Sequence, residues 1–301
     1  MVWIKLLFTA LFWGGTFIAG RVISQQLDPY SAAFLRFALA SFFLFSIIYS
    51  RKKRFPKLKK EVIIPVLLLG ATGVLGYNVF FFSGLKYIHA GRASLIIATN
   101  PVFISIFASI FFGERLTAVK VSGVILSVIG AVIVISNGDV AGLLTDRIGI
   151  GDLFLVGCVA CWVAYSLIGK VAMNHLTPFA AVSYSALFGA LGLLVPAWKH
   201  GLFTRLTEID PLIWGNIFYL SIFGTVLGFF WYYEGIQQLG PTKAGLFINF
   251  VPVSAIILGY LVLSEPVTLY LFIGAILVVS GVYLTNSKKR VIHRNDYRIK
   301  K

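Results

Sequence analysis

Some ten apolar runs follow one another along this chain with only short breaks between them. Each is close to the about 20 residues that cross a hydrocarbon layer as a helix. They fall at roughly 4–23, 31–50, 62–85, 93–112, 118–136, 151–170, 180–199, 213–234, 243–263 and 268–286. The breaks carry turn or charge signals, among them Asp28-Pro29, the 51–60 basic block, Gly113-Glu114-Arg115, Asn137-Gly138-Asp139, Thr177-Pro178, Asp210-Pro211 and Glu265-Pro266. Lipid offers the backbone no hydrogen-bond partner, so segments of this kind must satisfy their own amides and carbonyls as helices. With 58% hydrophobic and 12% charged residues, the chain has too little polar surface to cover a water-soluble globule, which carries roughly 25% charged residues. The expected class is an all-α membrane protein.

A net charge of +15 would fit nucleic acid if the cations were spread over a folded face. Instead they gather at 51–60 and in the tail 288–301, outside the apolar runs, where membrane proteins keep topology signals. No nucleic-acid partner is expected. With ten spans both termini share a side. Placing them in the cytoplasm puts Lys5, the 51–60 block, Arg115, Lys120, Lys170, Lys243 and the basic tail inside. Only Arg21, Lys86, Arg92, Arg147, Lys199 and Arg205 are left outside, an inward excess of about three to one. The first run is followed by Arg21 and a polar turn rather than a small-residue cleavage site, so it reads as a span and not a leader.

The two halves match. Trp13 and Trp162, Arg21 and Lys170, and Pro29 and Pro178 lie 149 residues apart. Gly84 and Gly235, Pro101 and Pro252, Glu114 and Glu265, Thr117 and Thr268, Gly123 and Gly274, and Gly130 and Gly281 lie 151 apart. The expected units are a five-helix repeat at 1–137, a linker at 138–149, a second five-helix repeat at 150–287 and a basic cytoplasmic tail at 288–301. An odd number of spans per unit makes the second enter the membrane in the opposite sense, the inverted-repeat architecture of secondary transporters.

These residues also carry a family resemblance. FWGGTF in the first run, PVFISIFASIFFGERLT across the fourth and fifth, PVSAIILGYLVLSEPVT across the ninth and tenth, and the spaced pairs Gly123/Gly130 and Gly274/Gly281 resemble the EamA domain of the drug/metabolite transporter superfamily over about residues 4–286. The resemblance implies a ten-helix inner-membrane carrier, often an exporter of amino acids or related metabolites. The four-helix multidrug members keep a glutamate in their first span; this chain has none there, so their proton site does not carry over.

Ionisable groups at membrane depth are costly and are usually functional. Glu234 in WYYEGIQQLG is the acid that falls within an apolar run. It reads either as an interfacial carboxylate bonded to Lys243 or a helix end, or as a coupling group for protons or a substrate amine. Arg36 in FLRFAL reads either as snorkelling to the interface or as a gate or substrate-carboxylate partner. Glu114 and Glu265, each just before a Thr able to cap the next helix, read as hairpin-fixing residues. The paired glycines read as close-packing positions. Polar residues interrupting the spans, Thr16, Asn78, Thr99, Asn100, Tyr165, Ser166, Tyr184, Tyr232 and Asn249, need partners or a wet cavity. Asn100 and Asn249 beside Pro101 and Pro252 point to a midplane site, lined by aromatics such as Trp13, Phe17, Phe81, Trp162 and Trp231.

The expected function is secondary active export of amino acids or related small metabolites by alternating access, with protons as the candidate coupling ion. Import of nucleotide-derived or sugar-phosphate metabolites would need several inward cations, and a non-transport scaffold or lipid-handling role is the other alternative. No enzyme, cofactor or metal site is expected. The four histidines lie in loops or the tail, Cys158-x-x-Cys161 has no second pair, and no phosphate-binding GxxxxGK[ST] loop is present. The orientation is testable. With cysteines introduced singly at Leu144, Pro56 and Asn295, a membrane-impermeant thiol reagent should label position 144 from outside and spare 56 and 295. External labelling at 56 would reverse the topology.

Overall fold

The computed structural model describes residues 2–52, 58, 60–113, 117–139, 148–172, 175–239, 247 and 250–286. Among them every regular element is helical. The chain runs through α1 (Val2–Ser24) and α2 (Pro29–Lys52), then a long rod made of α3 (Lys60–Leu69), a π-helical turn (Gly70–Gly76) and α4 (Tyr77–Tyr87). α5 (Ala90–Ile97) and α6 (Asn100–Phe112) form one apolar stretch broken at Ala98–Thr99, and α7 (Ala118–Ser136) follows. Next come α8 (Ile150–Ala172), α9 (Pro178–Lys199), the short α10 (Leu202–Arg205), and a second long rod: α11 (Pro211–Tyr219), a π-helical turn (Leu220–Leu227) and α12 (Gly228–Leu239). α13 (Phe250–Leu263) and α14 (Leu269–Asn286) complete the described chain.

Eight helical stretches are long and apolar enough to cross a membrane, from Val2–Ser24 to Pro211–Tyr232, and the shorter apolar Phe250–Leu263 and Leu269–Leu284 follow. The expected run at 243–263 starts in residues outside the described set, so only its later part is seen. The linker from Val140 to Arg147, the tail from 287, and Glu114 and Lys243 also lie outside it.

The breaks read as turn signals act as helix caps. Asp28 Oδ1 accepts from the Tyr30 and Ser31 amides at 3.0 Å each, and Asp210 Oδ1 accepts from Leu212 N at 2.7 Å. Thr117, Thr177 and Thr268 accept from the amides three residues on, at 3.3, 3.3 and 3.1 Å. Each oxygen satisfies one of the amides that a helix start leaves without an internal partner. A proline at the first helical position removes another such donor at Pro29, Pro178 and Pro211.

α1 packs against α12, α13 and the second π turn, and α8 against α4, α5 and α6. α2 lies on α9, and α7 on α14. Each of these contacts joins an element before the 140s to one after them. Large apolar side chains such as Ile4, Leu7, Ile110, Phe111, Leu261 and Leu269 stay exposed on the outside, where lipid takes the place of protein.

Outward faces as apolar as the inward ones give lipid-embedded helices little hydrophobic reason to choose each other, so close backbone approach must do it. At the α7–α14 crossing a Cβ on Gly130 would sit 2.8 Å from Val278 N, and one on Gly281 would sit 2.5 Å from Gly123 O and from Ser127 N. Both are backbone atoms, with no flexible tip to move aside. Gly281→Ala should therefore cost about 1–3 kcal/mol and lower the thermal midpoint of the detergent-solubilised protein. Gly215→Ala, where a Cβ meets nothing within 4 Å, should leave that midpoint in place; equal midpoints for the two variants would rule out a backbone-tight crossing.

Candidate functional site

Arg36 sits on α2 between Leu35 and Phe37, and only 8% of it is exposed. Its guanidinium turns into the bundle rather than snorkelling outward. Nη1 donates to Asn78 Oδ1 at 3.0 Å and Nη2 to Thr225 Oγ1 at 3.4 Å, while Nε has no partner. The cation lies 5.1 Å from the centre of the Phe37 ring. Its own carbonyl accepts from Ser221 Oγ at 2.9 Å, which fixes α2 against the second long rod.

Both partners of the guanidinium are set by the π turns. A π turn spaces backbone donors and acceptors more widely than an α-helix does and leaves carbonyls to be met by side chains. Asn78 Nδ2 donates to Val74 O at 2.8 Å and to Gly73 O at 3.4 Å, so its Oδ1 is aimed at Arg36. Thr225 donates its hydroxyl proton to Leu220 O at 3.0 Å, leaving the oxygen to accept. Trp13 Nε1 donates to Gly224 O at 2.9 Å.

Arg36, Asn78 and Thr225 border a cavity with about 400 Å³ of empty space. Opposite them stands an aromatic wall, with Trp162 5.1 Å from Tyr77 and 5.3 Å from Tyr165 between ring centres. Phe37, Phe229 and Ser185 complete much of the rest. The lining comes from α2, the first long rod, α8, α9 and the second long rod. Arg36 is the charged residue of this lining among the described residues, and no aspartate or glutamate joins it. Several lining positions pair by the spacing that relates the two halves of the sequence: Arg36 with Ser185 at 149, and Val74 with Thr225 and Asn78 with Phe229 at 151.

Of the residues singled out in the sequence, Arg36, Asn78, Trp162 and Tyr165 meet at this cavity. Trp13 lies just behind it, against Phe229 and Tyr232. Phe17 and Phe81 pack edge to face at 5.4 Å in the core, with 4% and 2% exposed. Trp231 stacks on Phe12, and Tyr184 packs on Phe45 in a separate cluster with Val66. Ser166 bonds back to Trp162 O at 2.8 Å. Thr99 bonds back to Ile96 O at 2.7 Å beside the α5–α6 break, and Asn100 is buried there with its Oδ1 unpartnered; neither lines the cavity. Asn249 lies outside the described residues. Tyr77, Ser185 and Thr225 were not singled out; a lone hydroxyl in an apolar run most often just bonds back to its own helix, as Ser46 and Thr72 do here.

Charged groups tie the ends of the bundle together. Near the start of α1, Lys5 Nζ meets Glu234 Oε1 and Oε2 at 2.9 and 2.7 Å, and Gln238 also donates to that carboxylate at 3.2 Å. Among the described residues it is Lys5 on the first span that holds Glu234; Lys243 lies outside them. At the other end of α1, Arg21 donates to Leu85 O. Nearby Arg92 grips buried Asp152 through two bonds of 2.9 and 2.7 Å. Glu265 was expected to fix its own hairpin; its carboxylate instead accepts from the Ala90 and Gly91 amides at 2.9 and 3.3 Å, at the N-terminus of α5. That placement satisfies two orphan amides and sets a negative charge at the positive end of the helix dipole.

The EamA-like transporter family matches residues 1–136 and 149–287. An uncharacterized transporter of Archaeoglobus fulgidus is 34% identical, over 95% of this chain and 99% of its own. The uncharacterized transporter YyaM of Bacillus subtilis is 31% identical, over 96% and 95%. A probable terminal-alkyne amino-acid exporter of Streptantibioticus cattleyicolor is 28% identical, over 95% and 93%. A solved crystal structure superposes with a TM-score of 0.64 at 22% identity, covering 93% of this chain and 94% of that one, and shows the same fold. Helical throughout its described length and matched by the family over nearly all of it, the chain belongs to the EamA-like transporter family, whose members are multi-pass membrane transporters.

Proposed function

We propose that this transporter exports amino acids or related small carboxylate metabolites across the inner membrane by alternating access, with Arg36 as the partner of the substrate carboxylate. The observation that carries the reading is a buried guanidinium whose described partners are all neutral. Moving a charge out of water without a counter-ion is expensive, and a carboxylate delivered by the substrate offsets that cost through charge-assisted hydrogen bonds. The amino-acid exporter of Streptantibioticus cattleyicolor, at 28% identity, is consistent with such a substrate. A sugar phosphate would call for several cations where this cavity offers one.

The proposed architecture is ten spans in two inverted five-helix repeats, with both termini cytoplasmic. Its support is the match of the family to two successive segments, the π turns at Gly70–Gly76 and Leu220–Leu227 in corresponding rods, and helix contacts of which the most extensive join the two halves. Alternating access needs ties at each end that open in turn. Lys5–Glu234 is the proposed tie at the cytoplasmic end, and Arg92–Asp152 with the Glu265 cap the tie at the outer end. The partly exposed Lys5–Glu234 pair contributes about 1 kcal/mol or less, weak enough to open in each cycle, whereas Asp152 is buried and its pairing with Arg92 is costlier to break. Glu234 is then the group through which a proton could couple to transport, by releasing Lys5 when neutralised.

Two measurements in proteoliposomes test this. Arg36→Gln should raise the KM for a transported carboxylate about 10- to 100-fold, the loss of one charge-assisted contact; an unchanged KM would remove Arg36 from the site. Lys5→Glu and Glu234→Lys should each slow transport, while the double exchange recovers most of it. If the double variant stays inactive and Glu234→Gln loses only uptake driven by a pH gradient while keeping substrate exchange, Glu234 couples protons instead of holding a tie.

A further inference from the structure

The charge content of the cavity narrows the substrate class, on the premise that Arg36 meets the substrate carboxylate. A free amino acid brings two charges, and a site for it must answer both. Among the described residues the wall offers hydroxyls but a charged partner for only one of the two charges. Arg36 supplies a cation with an unpartnered Nε, and no carboxylate lines the cavity among the described residues. Glu234 and Asp152, acids able to serve an ammonium, are absent from the lining and are held by Lys5 and Arg92. Glu265 is engaged with backbone amides at the N-terminus of α5. The oxygens nearest the guanidinium are committed as well: Asn78 Oδ1 and Thr225 Oγ1 accept from Arg36, and Val74 O accepts from Asn78. The faces of Tyr77, Trp162 and Tyr165 attract cations weakly, but an ammonium there would share the cavity with the guanidinium, and like charges repel.

What the wall does suit is an apolar or aromatic body, stacked against Tyr77, Trp162 and Tyr165 between the Phe37 and Phe229 sides. We infer that the site takes apolar or aromatic monocarboxylates of net negative charge, whose amino group is absent or masked, in preference to zwitterionic amino acids. An exported monoanion of this kind would move negative charge outward, the direction that an inside-negative membrane potential favours.

Calorimetric titration of the purified full-length protein with four probes of one ring size tests the inference: 3-phenylpropionate, N-acetylphenylalanine, phenylalanine and phenethylamine. The two monoanions should bind, phenylalanine about tenfold or more weakly because its ammonium goes unpaired, and phenethylamine not measurably. Thr225→Val, which keeps the guanidinium but removes one of its holders, should weaken the monoanions, and Arg36→Gln should abolish their binding. The wild-type series alone decides the matter if a variant fails to fold. Phenylalanine binding as tightly as 3-phenylpropionate, with both lost in Arg36→Gln, would overturn the inference and leave the carboxylate reading of Arg36 standing. Phenethylamine binding, or no binding by any carboxylate, would overturn both.

Discussion

Hydrocarbon offers a peptide group no partner, so every backbone N–H and C=O that enters it must be answered within the protein. Helices answer nearly all of them, and this chain is helical throughout its described length for that reason. The same constraint explains where its chemistry can sit. At the two π turns the regular ladder opens, and the freed carbonyls are met by Asn78, Thr225 and Trp13. A side chain that donates to a carbonyl keeps its oxygen in a fixed direction. Two such oxygens, from opposite ends of the sequence, converge on one guanidinium. The position of Arg36 is thus a consequence of how the backbone of two neighbouring rods was satisfied.

Holding the rods at that separation falls to the rest of the bundle. α1 packs with Gly14 against the backbone of α13 and Gly15 under the Tyr219 hydroxyl, which itself donates to Phe12 O. The outer pair α7–α14 closes on glycines. Where side chains are absent the helices touch through their backbones, and dispersion over that close surface replaces the solvent-driven burial available to a soluble protein. Among the described residues the Lys5–Glu234 and Arg92–Asp152 pairs lie toward helix ends and join segments distant in sequence, and Arg36 stands at the cavity.

The spans were legible because their length and apolarity are dictated residue by residue, and the capping Thr117 and Thr268 were legible because a cap is a local contact. The glycine crossings could be read from spacing alone. Four of the cavity residues stood out because Arg36, Asn78, Trp162 and Tyr165 are conspicuous in an apolar run. Thr225 and Ser185 did not, since composition cannot tell a hydroxyl that bonds to its own helix from one that also faces a cavity. Asn100 was conspicuous too, yet its place beside Pro101 spoke only of a break in the helix, and the break lies away from the aromatic wall. The π turns have no compositional signature beyond a few glycines. Glu265 escaped for another reason: its partners are the amides of Ala90 and Gly91, a contact across most of the chain that no local pattern encodes.

The pairing of Arg36 with Ser185 across the cavity bears on how such a chain could have arisen. If the halves are the inverted repeats proposed above, two separate copies of a five-span ancestor would each have supplied the same residue, so that an arginine at this position would meet its twin at the cavity. Two guanidiniums at one cavity would repel and demand two anions. Joining the copies into one polypeptide lets the halves diverge, so that one keeps a cation while the other carries only a hydroxyl. In this view the fused gene is what makes a singly charged binding site possible, and the price of that divergence is that the two mirror-related states of the carrier can no longer be equal in energy.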